Sequence, residues 1–293
     1  MSVGLTAPGD IGEAVAEAIA DMVQRATNGA PVSTYAQSDS PLTWQAIEDG
    51  GWDLIGTDED AQLRDLAEVA RAWGRACIQL PFIPSLLAKR HSGAAQAESG
   101  PVSFSVPSAT LPESGLVPYG QLDLKVARGL GAGVDELAEG AGGGPEEFDI
   151  LLRGARAPFI SDFSPEAARE TAVLFAAEAA GAAARLLDDG IAFVKERQQF
   201  GKPVGSFQAV KHHLANALID AEMAETAVIW ASLNPAEAYR GSLFAITRSI
   251  AVGELVLQAH GGIGFTWELG LHFLLRRMVA ARDLVTGLES AYA

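Results

Sequence analysis

The sequence contains very little cysteine or histidine. One cysteine, Cys77, and five histidines occur in 293 residues. A single cysteine excludes an internal disulfide and a cysteine-cluster metal site, and the His-Glu-x-x-His spacing of zinc hydrolases is missing. We therefore expect no metal site. The scarcity of cysteine also fits a protein of the reducing cytoplasm.

Long apolar runs and positive charge are scarce as well. No run approaches the roughly 18–20 apolar residues of a membrane span. The first ten residues lack the basic-then-apolar layout of a signal peptide. The chain has 37 acidic and 21 basic residues, a net charge of −16. Such an acidic chain would repel nucleic acid, so we expect neither a membrane span nor a nucleic-acid partner.

The N-terminal third shows the spacing of amphipathic helices. Apolar residues recur at helical spacing over residues 10–26 and 59–80. Asp10 and Asp58 are placed as N-caps of these two helices. The pattern predicts an N-terminal helical domain over residues 1–92.

Glycine and proline become frequent from about residue 93. Short alternating runs predict strands over residues 102–106, 122–126 and 148–152. The glycine-rich stretch 129–144 is interpreted as a loop, because it lacks the strand-then-helix context of a dinucleotide fingerprint. A small middle β-domain is thus predicted over residues 93–163.

The C-terminal part, residues 164–293, is predicted to be a four-helix bundle. Ser164 suits the N-cap and Pro165 the first position of a long helix. Helical patterns cover residues 166–196, 206–231, 236–260 and 267–281. The predicted fold is therefore mainly α, in the order helices, small sheet, helical bundle.

Two stretches of this bundle place polar and glycine residues at helix ends. The first, residues 197–215, opens with Arg197 in a turn rich in glycine and proline. The second, residues 258–268, begins with Gln258 and ends a helical pattern on two adjacent glycines. Positive charge, a side-chain amide and approachable backbone N–H groups are what a pyrophosphate requires.

Both stretches resemble the C-terminal flavin-binding segments of acyl-CoA dehydrogenases, and the order of the three parts resembles that family's architecture along the whole chain. The resemblance implies an oxidoreductase that binds FAD between two subunits, with an acyl-CoA substrate and an electron-transfer acceptor protein. The neighbouring subunit's bundle there holds the pyrophosphate and adenine. The residues that match this contact are Arg197, Phe200, Gln208, Gln258, Gly261 and Gly262.

Taken singly, some of these residues have simpler interpretations. Phe200 also fits a core position, and Gly261 with Gly262 fits an ordinary helix C-cap. Their joint order and spacing favour the flavin site.

The family's catalytic base is a carboxylate that removes the α-proton while a hydride leaves the β-carbon. The resemblance places this base at Thr171 or at Val285, and neither side chain can act as one. Glu170 and Asp283 lie close by, but one residue along a helix turns a side chain by about 100°. Glu170 is kept as a weak candidate for the base.

The middle part lacks the motifs with which the family holds the flavin ring and the acyl-CoA. The chain therefore resembles the small subunit of heteromeric α₂β₂ acyl-CoA dehydrogenases acting on steroid CoA esters, in which a larger homologous subunit supplies the base. Two alternatives remain open: a flavin-free structural or regulatory paralogue, and a complete homomeric dehydrogenase that uses Glu170. Apolar stretches 176–184, 214–219 and 271–275 are expected to form subunit contacts.

Overall fold

The computed structural model describes residues 9–35, 40–58, 61–111, 113–143 and 153–293. Its α-helices are α1 Asp10–Thr27, α2 Trp44–Asp49, α3 Leu63–Ala76, α4 Phe82–His91, α5 Gly93–Gln96, α6 Pro165–Glu196, α7 Gln208–Leu233, α8 Ala238–His260 and α9 Leu271–Tyr292. Single 3₁₀ turns lie at Val32–Thr34, Trp52–Leu54, Val204–Ser206, Pro235–Glu237 and Gly261–Phe265. The mainly helical fold class predicted from the sequence is confirmed.

The strands of the described residues are short. They are β1 Val102–Phe104, β2 Val106–Pro107, β3 Gly115–Val117, β4 Lys125–Ala127, β5 Gly129–Leu130, β6 Leu137–Glu139, β7 Ala155–Ala157, β8 Asp162–Phe163, β9 Gln198–Gln199 and β10 Lys202–Pro203. In the middle part, β1-β4-β6 and β2-β3-β7 form two three-stranded sheets, and β5 pairs with β8 in parallel.

The strand predictions are partly correct. The predicted strand 102–106 is divided between β1 and β2, and the one at 122–126 is shifted toward β4. The one at 148–152 lies outside the described residues. The interpretation of residues 129–144 as loop is wrong at residues 129–130, where β5 pairs with β8, and at residues 137–139, where β6 pairs with β4. Leu130 is fully buried, and this apolar anchor outweighs the surrounding glycines.

One carboxylate organises the start of two N-terminal helices. Asp65 of α3 accepts a hydrogen bond from the backbone N–H of Gly9 at 2.5 Å and from that of Gln62 at 3.0 Å. Gly9 and Gln62 are the residues at the N-cap positions of α1 and α3. The predicted N-caps Asp10 and Asp58 are therefore wrong, since α1 already includes the first and α3 begins beyond the second.

The start of the long helix α6 follows the sequence prediction. The Ser164 hydroxyl accepts a hydrogen bond from the N–H of Ala167 at 3.1 Å, and Pro165 occupies the first position. Side-chain capping together with a preset φ favours helix initiation at this point.

Helix α6 is the centre of the bundle and packs against α3, α7, α8 and α9. Residues 176–183 are buried inside the chain, and a Cβ on Gly74 of α3 would lie 2.0 Å from the backbone oxygen of Glu178. The expectation that this stretch forms an external contact surface is therefore wrong. Most of residues 271–275 are buried too, whereas Leu218 and Ile219 are exposed.

A buried polar contact joins the sheets to the bundle. Arg277 of α9 donates to the Tyr119 hydroxyl and to the carboxylate of Glu178, each at 2.8 Å. The α9 and α6 helices are thereby held against the segment that follows β3.

One long apolar segment occurs among the described residues: α8 with its flanking turns, residues 235–265, has the length and composition of a membrane span. Half of its most apolar window is buried within the fold. The core helix of a bundle has the same composition, so this segment is weak evidence for a membrane span.

Candidate functional site

The residues predicted to bind a cofactor lie at one end of the bundle. Helix α6 ends at Glu196 and α8 ends at His260, and these ends meet because the ring of Phe193 stacks on the imidazole of His260, with centroids 4.1 Å apart. Helix α7 begins at the same end, since it runs back from the turn after α6. Arg197, Gln208 and Gln258 therefore share one end of the fold.

A hairpin projects from this end and displays an aromatic ring. Strands β9 and β10 pair antiparallel, and the two residues between them, Phe200 and Gly201, have φ of 54° and 77°. Two positive φ values are typical of the tight type I′ hairpin turn. Phe200 is 91% exposed, and its ring lies edge-on to that of Phe207, with centroids 6.0 Å apart. The core interpretation of Phe200 is thus wrong.

The polar residues of this end are exposed. Arg197 follows the last residue of α6, and its side chain has no hydrogen-bond or ion-pair partner within the described parts of the chain. Gln208 and Gln258 are exposed too. Lys202 lies over the ring of Phe207 at 4.3 Å. An exposed guanidinium can bind two phosphate oxygens at once, and a side-chain amide can donate or accept beside it.

The two glycines after α8 leave their backbone open. Gly261 has φ 66° and ψ −148°, a conformation that only glycine adopts readily, and its N–H closes the helix on the carbonyl of Gln258. A Cβ added at Gly261 or at Gly262 would meet no atom within 4 Å. The pair therefore caps the helix and also leaves space in which a phosphate could approach the backbone. These residues fit the diphosphate and adenine part of a dinucleotide.

Glu170, the weak candidate for a catalytic base, is engaged elsewhere. Its buried carboxylate accepts from Arg90 through Nε at 2.8 Å and Nη2 at 3.1 Å, and lies 2.8 Å from Nε2 of His91. Burial opposes ionisation of Glu170, but the hydrogen bonds from His91 and Arg90 outweigh it and lower its pKa. A carboxylate held in this way is a poor proton acceptor.

The other three residues at or near the positions where the resemblance places the base are Thr171, Val285 and Asp283. Each of them is also part of the packing of the fold. The Thr171 hydroxyl is fully buried and donates to the carbonyl of Ala167 at 2.7 Å, and Val285 is fully buried. Asp283 accepts from the hydroxyl of Ser108 and from the N–H of Thr110, and so attaches α9 to the segment after β2. None of these four positions presents a free carboxylate.

The contact between Phe193 and His260 was not found from the sequence. His260 is buried, accepts or donates at Nδ1 with the carbonyl of Val256 at 2.8 Å, and has its pKa lowered by burial. Only its position directly before the two glycines hinted at a role. The partner ring lies on another helix, so periodicity could not reveal the stack.

The helical fold has counterparts among solved structures. One of them is the Tcur3481–Tcur3483 steroid ACAD, with a TM-score of 0.71, 19% sequence identity and 96% of each chain covered. A second is the ChsE4–ChsE5 complex from Mycobacterium tuberculosis, with a TM-score of 0.68, 16% identity and coverage of 98% of this chain and 96% of that one. A third is PigA with FAD and proline, with a TM-score of 0.69, 14% identity and coverage of 100% of this chain and 98% of that one. At these identities the likeness shows a common fold, that of the acyl-CoA dehydrogenases.

Sequence comparison agrees with the fold. Residues 166–283 match the family model of the acyl-CoA dehydrogenase C-terminal domain. The chain is 42% identical over 116 residues to acyl-CoA dehydrogenase FadE34 of Mycobacterium tuberculosis, covering 36% of this chain and 16% of that protein. It is 38% identical over 116 residues to acyl-CoA dehydrogenase IpdE2 of Mycolicibacterium smegmatis, covering 39% and 37%. The matched region thus spans well under half of these relatives. The C-terminal part of the chain, residues 166–283, thus carries an acyl-CoA dehydrogenase C-terminal domain.

Proposed function

We propose that this chain is the non-base subunit of a heteromeric, FAD-dependent acyl-CoA dehydrogenase. It supplies the pyrophosphate and adenine half of a flavin site at a subunit interface, and a larger homologous subunit supplies the catalytic base and the flavin-ring contacts. One observation carries this proposal. The polar residues at one end of the bundle are exposed, whereas the carboxylates of Glu170 and Asp283, near the positions expected for the catalytic base, are held in hydrogen bonds within the fold.

The exposed end supports the flavin half of the proposal. Arg197 binds the pyrophosphate through its guanidinium, and the backbone at Gly261 and Gly262 approaches the same phosphates. Phe200, on the hairpin tip, packs against the partner subunit or the ring system beside it. FAD, when bound, accepts the hydride that leaves the β-carbon of the substrate. This chain's part is to bind and orient one end of the cofactor.

The hydrogen bonds of Glu170 and Asp283 support the second part of the proposal, that the catalytic base lies on another subunit. Both carboxylate oxygens of Glu170 are used by Arg90 and His91, and both oxygens of Asp283 are used by the segment after β2. Neither group is available to take an α-proton in this arrangement. This counts against a complete homomeric dehydrogenase that uses Glu170.

The substrate of the assembled enzyme is an acyl-CoA, proposed to be a steroid-derived CoA ester, and the electrons pass to an electron-transfer acceptor protein. The α₂β₂ assembly and the steroid ester rest on the sequence resemblance. They are supported by structural relatives that include a steroid ACAD and a two-component complex. We also propose that the protein is cytoplasmic.

The test is flavin quantitation with and without a partner. The chain is purified alone, and also after co-expression with a larger acyl-CoA dehydrogenase encoded beside its gene. We expect little flavin in the chain alone. In the complex we expect fewer flavins than subunits, together with acyl-CoA-dependent reduction of an artificial electron acceptor.

Two outcomes distinguish the alternatives. One flavin per chain and full activity from this polypeptide alone would establish a homomeric dehydrogenase. A stable complex whose flavin content does not change when Arg197 is replaced would favour the structural or regulatory paralogue.

A further inference from the structure

Helix α4 ends at a histidine whose ring is held by a carboxylate. Nε2 of His91 lies 2.8 Å from Oε2 of Glu170, and the two side chains are only 10% and 7% exposed. Because the ionised Glu170 can only accept, the neutral imidazole donates its proton from Nε2. Its Nδ1 then carries a lone pair, and this atom has no hydrogen-bond partner among the described residues. A nearly buried imidazole fixed in one tautomer is the arrangement of a general base.

The Nδ1 atom of His91 borders a small space above the backbone of Gly131. This glycine has φ 72°, and a Cβ placed on it would lie 3.9 Å from Nδ1 of His91 and 2.9 Å from Oγ of Ser164. Backbone hydrogen bonds fix both sides of the space. The N–H of Gly131 donates to the carbonyl of His91 and the N–H of Ser164 to that of Leu130, each at 2.8 Å. The glycine therefore leaves room for a substrate atom between a hydroxyl and an imidazole.

The position of Ser164 at the start of α6 suits a nucleophile. Its Oγ accepts from the N–H of Ala167 at 3.1 Å, so the cap uses the oxygen and leaves the hydroxyl proton free to be donated. An N-cap oxygen bonds to the second or the third N–H of its helix. Here the third is used, so the N–H of Glu166 lies beside Ser164 without an acceptor among the described residues. This N–H and the positive end of α6 stabilise negative charge that develops next to Ser164.

A polar cleft opens beside the imidazole. Its volume of about 520 Å³ lies within the roughly 300–1,000 Å³ of small-molecule sites. Its polar lining consists of Thr57, Asp58, Gln62, Arg90, His91 and Glu166. Because little of this lining is apolar, the cleft suits a short or polar acyl group better than a long hydrocarbon chain.

We propose that Ser164, His91 and Glu170 form an acyl-transfer site that hydrolyses small esters or thioesters. Ser164 Oγ attacks the carbonyl carbon of the substrate while its proton passes to Nδ1 of His91. The bond to the leaving oxygen or sulfur then breaks, and the leaving atom takes that proton. Water, deprotonated by the same Nδ1, attacks the acyl-serine, which releases a carboxylic acid and restores the Ser164 hydroxyl.

Ser164 and His91 are the catalytic residues of this reaction, and Glu170 is a positioning residue that holds the imidazole. Oγ of Ser164 and Nδ1 of His91 are not hydrogen-bonded to each other in this structure, as is common in active sites before substrate binds. The inference goes beyond the proposed function and does not depend on it, because ester hydrolysis requires neither a flavin nor a second subunit.

Covalent labelling tests the nucleophile. The purified full chain is treated with a fluorophosphonate, and the modified residue is located by peptide mass spectrometry. Hydrolysis of para-nitrophenyl acetate is measured in parallel. We expect the label on Ser164, and we expect Ser164→Gly to lose the label and to hydrolyse the ester roughly tenfold more slowly or worse. Glycine is nearly as good an N-cap as serine, so this variant should fold.

The matched control for this variant is Ser290→Ala. Ser290 is an exposed serine near the end of α9, and its replacement should leave both the label and the hydrolysis rate within about twofold of native. The polar cleft gives a second expectation for the native chain, namely that para-nitrophenyl octanoate is a poorer substrate than the acetate.

Chemical rescue distinguishes a catalytic imidazole from a structural one. His91→Ala should lower the hydrolysis rate by about 10²-fold, and added imidazole should restore part of it. A loss caused by misfolding would not be restored. Glu170→Gln should lower kcat more than it changes KM, because an amide no longer selects the tautomer with the proton on Nε2.

Three outcomes would overturn the inference. The first is a label on a residue other than Ser164, and the second is native hydrolysis by Ser164→Gly. The third is a loss of activity in His91→Ala that imidazole does not restore, since this would make His91 a structural residue only.

Discussion

The backbone of Gly181 on α6 lies directly against the backbone of Arg71 on α3: a Cβ added to this glycine would be 2.0 Å from the Arg71 carbonyl oxygen. The two helices therefore cross with their main chains in contact. Such a crossing tolerates no side chain, since a real Cβ needs well over 3 Å from an oxygen atom, and the helices must move apart to admit one.

We expect Gly181→Ala to lower the free energy of unfolding by about 3 kcal/mol, the upper part of the range for overpacking a tight core. Urea denaturation of the purified chain measures this. Gly262→Ala is the matched control, because a Cβ there meets no atom within 4 Å. It should change stability by less than about 0.5 kcal/mol. Equal losses in the two variants would show that the α3–α6 crossing is not tightly packed.

The exposed guanidinium of Arg197 gives a prediction about the cofactor. Arg197→Ala should weaken FAD retention by about 1–3 kcal/mol, because a charge-assisted hydrogen bond to phosphate is lost. Its unfolding free energy should hardly change, since the side chain has no partner among the described residues. Flavin content of the complex after dialysis is the measurement. Arg25→Ala, which removes an exposed arginine from α1, should retain flavin like the native chain.

Burial of His260 predicts a pH dependence of stability. Burial lowers the pKa of His260 in the folded chain. The unfolded chain then binds the proton more readily, so the contribution of His260 to stability is complete above about pH 6.5 and is lost as the pH falls. His260→Phe preserves a ring against Phe193 and removes this titration. Urea denaturation is measured between pH 7.5 and 5.5 in steps of about 0.5 pH unit. We expect the urea midpoint of His260→Phe to fall less over this range than that of the native chain.

The exposed His212 provides the control for that experiment. His212→Gln removes a histidine whose side chain lies in solvent. Its stability profile should follow the native one, because replacing a solvent-exposed side chain leaves the packing of the folded chain unchanged. If His260→Phe shows the full native slope, the pH dependence arises from another group.

The bundle and its starting cap could be predicted from the sequence because their signals are local. Ser164 and Pro165 mark the start of α6, and helical spacing marks α6 to α9. The N-caps of α1 and α3 were placed wrongly because Asp65, a residue inside α3, bonds to the start of both helices. The pairing of β5 with β8 and of β6 with β4 was missed because glycine content gives no information on which backbone a strand will meet.

The candidate site, too, could be predicted only in part from the sequence. Arg197, Gln258 and the two glycines could be proposed from sequence because each lies in a short contiguous motif. The engagement of Glu170 could not, since its partners Arg90 and His91 lie about 80 residues earlier, on α4. Whether Glu170 can act as a base depends on the side chains around it. These become known only from the packing of α4 against α6.

The contacts of Glu170 lead to the last prediction. Glu170→Gln removes the charge but keeps a similar shape, and leaves Arg90 without its ion pair. The lowered pKa of Glu170 means that its ionised form stabilises the fold above about pH 4.3, the unfolded value, and that this contribution is lost as the pH falls through the folded value. We expect a loss of about 1–3 kcal/mol at pH 7 that shrinks at lower pH. Glu166→Gln, an exposed carboxylate one turn earlier, should cost at most about 1 kcal/mol.

Turnover separates this structural role from a catalytic one. If Glu170 only holds Arg90 and His91, the assembled complex with Glu170→Gln should keep its turnover within about tenfold of native, with FAD still bound. Removing a general base costs at least about 10²-fold. Steady-state rates at saturating acyl-CoA, divided by the flavin content of each preparation, exclude any effect of lost cofactor. A drop of 10²-fold or more per bound flavin would place the base on this chain, and would mean that the pairing with Arg90 and His91 opens when substrate binds.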